Sequence, residues 1–283
     1  MINVRSILLV SAVGALTLLS TGCEKLKARD NLNKGVQAFK TAKYPLAVEH
    51  FKKAVELDPE FGTARLYLAT AYMSQYIPGA DSPENMQNAR AAESEFLKVL
   101  EREPTNTLAI ESLASLHYNQ AQGNQPLEQK LKKLDDAATW YAKLASVDAN
   151  AKTAYYSLGV ITWAKWYPRY VEARRDMGMK PEDPGPMKDK KVRAEMREKW
   201  QEIVNKGIEN LEKALAVDKE YDEAMAYLNL LHRERADLLD SPEEYKKEVE
   251  IADNYVTKAL DTKKIKAARE AERAAKGGIK AEQ

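Results

Sequence analysis

Apolar and small residues recur along this chain with the spacing of amphipathic helices. Within residues 44–59, Ala47, Phe51 and Ala54 fall four and three positions apart, so they share one face of a helix. Pro59 ends this segment, because proline cannot continue the hydrogen-bond ladder of a helix. Related segments follow as far as residue 264, and the pattern therefore predicts an all-α chain.

The helical segments occur in pairs that repeat, with a first interval of about 34 residues. Counted from the first helical residue of each pair, positions 8 and 20 are small in nearly every copy, which allows the helices to approach closely. The five pairs start at Ala28, Gly62, Thr107, Lys152 and Asp222. Position 8 is Gly35, Ala69, Ala114, Gly159 and Asn229, and position 20 is Ala47, Ala92, Ala137, Gly207 and Ala252.

This register resembles the tetratricopeptide repeat, and the resemblance covers residues 28–264. It implies an all-α solenoid of about five helix-turn-helix units, a fold class used to hold other proteins. The alternative is a generic helical bundle in which the small residues recur by chance.

Insertions lengthen several units between their two helices. Residues 77–83, 122–126 and 240–242 carry the Pro, Gly, Asn and Asp of turns. Ser82 and Ser241 each precede a proline and are expected to cap the following helices. A much longer insertion, residues 164–200, divides the fourth unit. Insertions on one edge of such an array often mark its working face.

The N-terminus resembles a bacterial lipoprotein signal peptide. An apolar run from Ile7 to Leu19 follows Arg5 and leads to Gly22 and Cys23. This run of 13 residues is too short to span a bilayer, so residues 1–22 are expected to be cleaved. The resemblance implies that Cys23 is then acylated with palmitate-type chains, which anchor a protein firmly. The alternative is an ordinary secreted protein with an incidental cysteine.

The residue after the cysteine suggests which membrane holds the anchor. Glu24 stands where an aspartate would retain an enteric lipoprotein in the inner membrane, so the resemblance favours the periplasmic face of the outer membrane. Residues 23–27 are expected to be the lipidated cysteine and a short tether. Residues 265–283 are rich in Lys and Arg and are expected to fray into a disordered tail.

Composition excludes several classes of function. Forty-four Lys and Arg balance 43 Asp and Glu, which argues against a nucleic-acid-binding protein. Cys23 is the sole cysteine, so no internal disulfide or cysteine nucleophile is available. The chain has neither metal-ligand spacing nor a Gly-rich phosphate loop, so we expect no catalytic residues, metal or cofactor.

The tetratricopeptide resemblance places positions 5, 9 and 12 of each first helix in a groove. Position 12 is aromatic or apolar in four units, and aromatic anchors are the usual hot spots for peptides. The predicted anchors are Phe39, Met73, Tyr118, Tyr156 and Trp163. The alternative is that the insertions fold back and bury this stripe as core.

The long insertion offers a second candidate surface. Residues 163–170 contain four aromatic side chains, and Trp166 and Tyr170 are predicted to contact a partner or lipid headgroups. The alternative is that Trp166, Tyr170 and Trp200 form a small core that closes the insertion.

These expectations describe a lipid-anchored scaffold or adaptor of the bacterial envelope that binds proteins or peptides. Two alternatives remain open. One is an assembly factor for an outer-membrane machine, resembling pilus-secretin pilotins or the barrel-assembly lipoprotein. The other is a lipoprotein that binds cell wall or carbohydrate.

Overall fold

The computed structural model describes residues 23–180 and 183–278, and this part of the chain contains helices and loops but no strand. The first helix, α1, spans residues 23–40. The others are α2 (Tyr44–Leu57), α3 (Gly62–Met73), α4 (Pro83–Arg102), α5 (Thr107–Gln120), α6 (Leu127–Val147), α7 (Lys152–Asp176), α8 (Lys190–Val217), α9 (Asp222–Ala236) and α10 (Pro242–Gly278). The expected signal peptide, residues 1–22, lies outside the described residues.

The helices follow the register of the repeat. Four first helices begin at Gly62, Thr107, Lys152 and Asp222, the residues at which the repeats were placed. The exception is α1, which already includes residues 23–27, so the expected tether forms the first turns of this helix.

Side chains at the helix starts explain where the insertions end. Ser82 Oγ accepts a hydrogen bond from the Asn85 N–H at 3.1 Å, and Pro83 occupies the first helical position of α4. Asp189 Oδ1 accepts from the N–H groups of Lys191 and Val192 and caps α8 in the same way. These caps satisfy amide groups that lack a partner in the first turn.

Glycine at position 8 allows the two helices of a unit to pack closely. A methyl group added to Gly35 would collide with the Phe51 ring, and one added to Gly159 would collide with Leu211. Phe51 and Leu211 both occupy position 24 of their repeats and are fully buried. The small residue and the large residue therefore form one complementary contact.

The chain divides into two compact units, one ending at Ala137 and the other starting at Ala138. In unit 1 a core cluster gathers Phe51, Ala47 and Leu68. In unit 2 a larger cluster includes Trp166, Leu211 and other residues of α7, α8 and α9. Among the described residues, no helix has a stretch long and apolar enough to cross a bilayer.

The long insertion mainly extends two helices. Helix α7 continues to Asp176 and α8 starts at Lys190, so the turn between them covers only residues 177–189. Residues 164–176 and 190–200 therefore form a helical hairpin that lengthens the fourth unit.

The end of the chain corrects one expectation. Residues 265–278, expected to be part of a frayed and disordered tail, continue α10 as a helix. Lys266 pairs with Asp222, and Arg269 Nη1 lies 2.6 Å from Glu220 Oε2, so these cations tie α10 to the start of α9. Several alanines, which have high helix propensity, extend the helix further. Residues 279–283 of the expected tail lie outside the described part.

Candidate partner-binding surface

A row of aromatic side chains lies between α7 and α9, the first helices of two successive repeats in unit 2. We call it the aromatic row, and it consists of Tyr221, Tyr156, Tyr227, Trp163 and Tyr167. Its successive ring centroids are 4.9, 5.8, 5.6 and 4.6 Å apart. These separations are those of favourable aromatic pairs. All five side chains are half-buried, so each ring both packs against the core and meets solvent.

Trp163 is held in one orientation. Its indole Nε1–H donates a hydrogen bond to Glu234 Oε1 at 2.9 Å, and its ring stacks on Tyr167. Glu234 is only 5% exposed and lies on α9, so this bond joins the two helices beneath the row. A side chain ordered before binding loses little conformational entropy when a partner arrives.

The carboxyl group of Glu234 has an unusual protonation behaviour. Burial is the main reason that the pKa of Glu234 is raised to about 8; the negative charge of Asp237 contributes to this rise, and the hydrogen bond from Trp163 opposes it. At neutral pH the group therefore holds a proton in most molecules. Its Oε2 atom is buried without a hydrogen-bond partner in the described part of the chain.

This pKa gives unit 2 a predictable dependence on pH. Between the ordinary glutamate pKa of 4.5 and about 8, the folded state binds more protons at Glu234 than the unfolded state does. The contribution of Glu234 to the free energy of unfolding is therefore fully present at pH 4 and is lost as the pH rises to about 8. Asp237, whose pKa is also raised by burial, acts in the same direction.

Glu234→Gln should remove this dependence at one position, because glutamine resembles the protonated acid. We expect the variant to match the wild type near pH 5 and to exceed it near pH 9 by up to about 5 kcal/mol in free energy of unfolding. Urea titrations followed by circular dichroism at the two pH values would measure the difference. The exposed Glu250→Gln is the control, and an equal effect of both variants at pH 9 would contradict the assignment.

A buried ion pair fixes the turn of the hairpin to α9. Arg174 and Asp237, which are 2% and 3% exposed, form an ion pair, and the Tyr170 hydroxyl donates to Asp237 Oδ2 at 2.8 Å. The Arg174 Nη2 atom donates to the carbonyl oxygens of Lys180 and Asp183 at 2.8 and 2.6 Å. The Arg174 side chain thus holds both the turn and the neighbouring helix.

The structure corrects the prediction that Trp166 and Tyr170 contact a partner. Trp166 is 0% exposed and Tyr170 is 8% exposed. The Trp166 ring lies 5.6 Å from Trp200 and 5.4 Å from Tyr170, and all three belong to the core of unit 2. The small-core alternative is therefore the arrangement observed, because a fully buried indole cannot reach a partner while the unit is folded.

The other predicted anchors are distributed over both units. Tyr156 and Trp163 lie on α7, and Tyr227 contacts both of them. Phe39, on α1 in unit 1, packs edge-on against Tyr44 at 5.2 Å. Met73 and Tyr118 lie on α3 and α5 of the same unit and are half-buried, as Phe39 is. The anchor of the proposed lipid, Cys23, is exposed at the start of α1.

Sequence analysis missed four members of the site, namely Tyr167, Tyr221, Tyr227 and Glu234. Tyr167 lies four residues after Trp163 and shares its helix face, a spacing that could have identified it if the extension of α7 had been anticipated. Tyr227 is one residue beyond the predicted groove position 5 of its repeat. Glu234 gave no signal, since a glutamate in a charged helix is usually exposed.

An open cleft of about 710 Å³ lies between the end of α7 and the start of α8. The half-buried apolar side chains of Met177, Met196 and Trp200 line it, together with the exposed Glu172 and Lys199. The cleft carries charges of both signs and so has no strong preference for one of them.

No protein-family model matches the sequence, and no curated protein matches it. Solved structures are similar in fold. A crystal structure of a MamA protein is 16% identical with a TM-score of 0.53, over 86% of this chain and 94% of that one. MamA from residue 41 to its end, from Desulfovibrio magneticus RS-1, is 15% identical with a TM-score of 0.50, over 84% of this chain and 96% of that one.

At this level of identity the likeness concerns the fold alone. The described helices, their pairing and the small-residue register define an all-α fold of the tetratricopeptide-repeat class, with about five helix-turn-helix units and insertions between helices.

Proposed function

We propose that this chain is a scaffold or adaptor that binds a segment of a partner protein along the aromatic row of unit 2. The observation that supports this most strongly is the row itself: five half-exposed rings on two adjacent first helices, with Trp163 fixed by Glu234. Soluble proteins rarely leave so many large aromatic side chains at one surface without a partner.

The chemistry of the row suits a peptide. Trp and Tyr dominate binding hot spots because they bury large apolar areas and lose few rotamers. Rings spaced about 5 Å apart on two helices can contact successive side chains of an extended segment. The hydrogen bond from Trp163 to Glu234 orients the indole ring for this contact before binding.

We also propose that the protein is lipid-anchored in the bacterial envelope, on the periplasmic face of the outer membrane. The support is the sequence of residues 1–23 and the exposure of Cys23 at the start of α1. Such an anchor would hold this protein in the envelope. It would therefore raise the effective concentration at which the protein meets an envelope partner.

The test of this function is affinity purification of the full-length protein from cells treated with a crosslinker, with mass spectrometry of what is captured. Trp163→Ala should reduce capture of the specific partner at least tenfold, as loss of a hot-spot residue does. Trp140→Ala, a half-buried tryptophan on α6, should leave it unchanged. The Cys23→Ala variant should leave the membrane fraction, and the material captured with it should therefore lack envelope proteins.

Equal capture by wild type and Trp163→Ala would contradict binding at the row. Membrane retention of Cys23→Ala equal to that of the wild type would contradict the lipid anchor. The two results are independent, so either part of the proposal can fail alone.

A further inference from the structure

A cation of the chain itself lies over a ring at each end of the aromatic row: over Tyr221, its first member, and over Tyr170, the ring beyond Tyr167. Lys152 Nζ lies 5.1 Å from the centroid of Tyr221, at one end. At the other end Tyr167 is 6.4 Å from Tyr170, and the Arg174 guanidinium carbon lies 5.5 Å from the Tyr170 ring. Both distances are those of cation–π contacts, and both cations are also ion-paired, Lys152 with Asp218 and Arg174 with Asp237.

Carboxylates add to the negative potential near the row. Glu223 is exposed in the first turn of α9, close to Tyr221. Burial raises the pKa of Tyr221 to about 12, and the charges of Glu223 and Asp218 contribute to the rise. A negative potential of this kind would stabilise a cation above the neighbouring rings.

Arg233, a basic group of α9, is already engaged. Arg233 Nη2 pairs with Asp253 Oδ1 at 2.5 Å and also donates to Asn229 at 3.3 Å. Its charge is therefore partly compensated and opposes an incoming cation less than an unpaired arginine would.

We infer that the partner segment presents a lysine or arginine side chain to the rings of Trp163, Tyr167 and Tyr227. This inference rests on the proposed function, because it names the chemistry that the same row recognises. An apolar side chain would gain buried area but would not use the carboxylates. An acidic side chain would meet both the negative ring faces and Glu223 unfavourably.

The experiment uses a phage-displayed library of random 12-residue peptides, selected on the full-length wild-type protein and counter-selected on Trp163→Leu. Selected peptides should contain at least one Lys or Arg. For a synthetic version, replacing that residue by norleucine, or by citrulline for arginine, removes the charge and keeps the chain length. We expect this change to weaken binding to the wild type about 3- to 20-fold.

Substitutions of the rings distinguish a cation–π contact from nonspecific apolar binding. Trp163→Phe keeps an aromatic face and should retain most of the preference for the charged peptide, whereas Tyr167→Leu and Tyr227→Leu should reduce it. Circular dichroism of each variant establishes that the helices remain folded. Because Tyr167→Leu leaves the Trp163–Glu234 bond in place, it keeps the test valid even if Trp163→Leu fails to fold.

The outcomes distinguish the inference from the proposed function. If no peptide depends on Trp163 or Tyr167, both the peptide-binding function and the cation preference are overturned. If peptides depend on these rings but lack basic residues, or bind equally well with norleucine, only the cation preference is overturned. A preference for the charged peptide that disappears in the ring variants supports both the peptide-binding function and the cation preference.

Discussion

Asp237→Ala should lower the free energy of unfolding of unit 2 by about 3–5 kcal/mol, the usual cost of breaking a buried ion pair. The substitution would leave the Arg174 guanidinium charged in the interior, where both residues are nearly inaccessible to solvent. It would also remove the acceptor for the Tyr170 hydroxyl. Desolvation of unpaired groups, more than the loss of the attraction itself, makes the effect large.

All four tryptophans belong to unit 2, so tryptophan fluorescence during urea unfolding reports on this unit. The double variant Arg174→Met/Asp237→Leu is the matched control. Because it removes both charges and keeps apolar volume, it should recover most of the loss. A loss below about 1 kcal/mol for Asp237→Ala would contradict a buried and unsolvated pair.

Trp166→Ala should be comparably damaging, at about 3–5 kcal/mol, because it opens a cavity in the core cluster of unit 2. Trp166 is completely buried and contacts Trp200 and Tyr170. Helical content at low temperature should be kept, whereas the midpoint of thermal unfolding should fall by several degrees.

Trp140→Ala provides the comparison for this variant. Trp140 is half-buried on α6 and has Lys143 over its ring at 5.2 Å, so it forms a surface contact. We expect its loss to cost about 1 kcal/mol or less. Similar destabilisation by the two substitutions would show that Trp166 is not the central core residue of the hairpin.

The start of each repeat could be predicted because the information is local and repeated. A small residue at position 8 recurs in four of the five copies, and the packing of Gly35 against Phe51 and of Gly159 against Leu211 shows the contact this pattern encodes. The predicted caps at Ser82 and Ser241 are likewise local, since each accepts a hydrogen bond from an N–H three positions further along.

Which side chains of the hairpin are buried could not be predicted from the sequence. Trp163 and Trp166 are three residues apart on one helix, and periodicity alone does not say which of them is covered. The answer depends on the N-terminal extension of α8, which brings Trp200 against Trp166. The Arg174–Asp237 pair joins residues 63 positions apart in the sequence, and no repeat pattern encodes it.

The tail shows how tertiary contacts change a compositional expectation. Its high content of lysine and arginine predicted fraying, because like charges repel along an isolated helix. In the structure Lys266 and Arg269 are paired with Asp222 and Glu220 near the start of α9. The charges that would have disfavoured an isolated helix instead connect α10 to the last repeat.

The aromatic row as the partner-binding surface is tested most directly by a photocrosslinking amino acid at defined positions of the full-length protein in cells. Tyr227 is a half-exposed position within the row, and Ile203 is an exposed position on α8. We predict one discrete crosslinked partner from position 227, lost when Trp163→Ala is added, and none from position 203. The same adduct from both positions, or an adduct at 227 that persists with Trp163→Ala, would contradict a partner bound at the aromatic row.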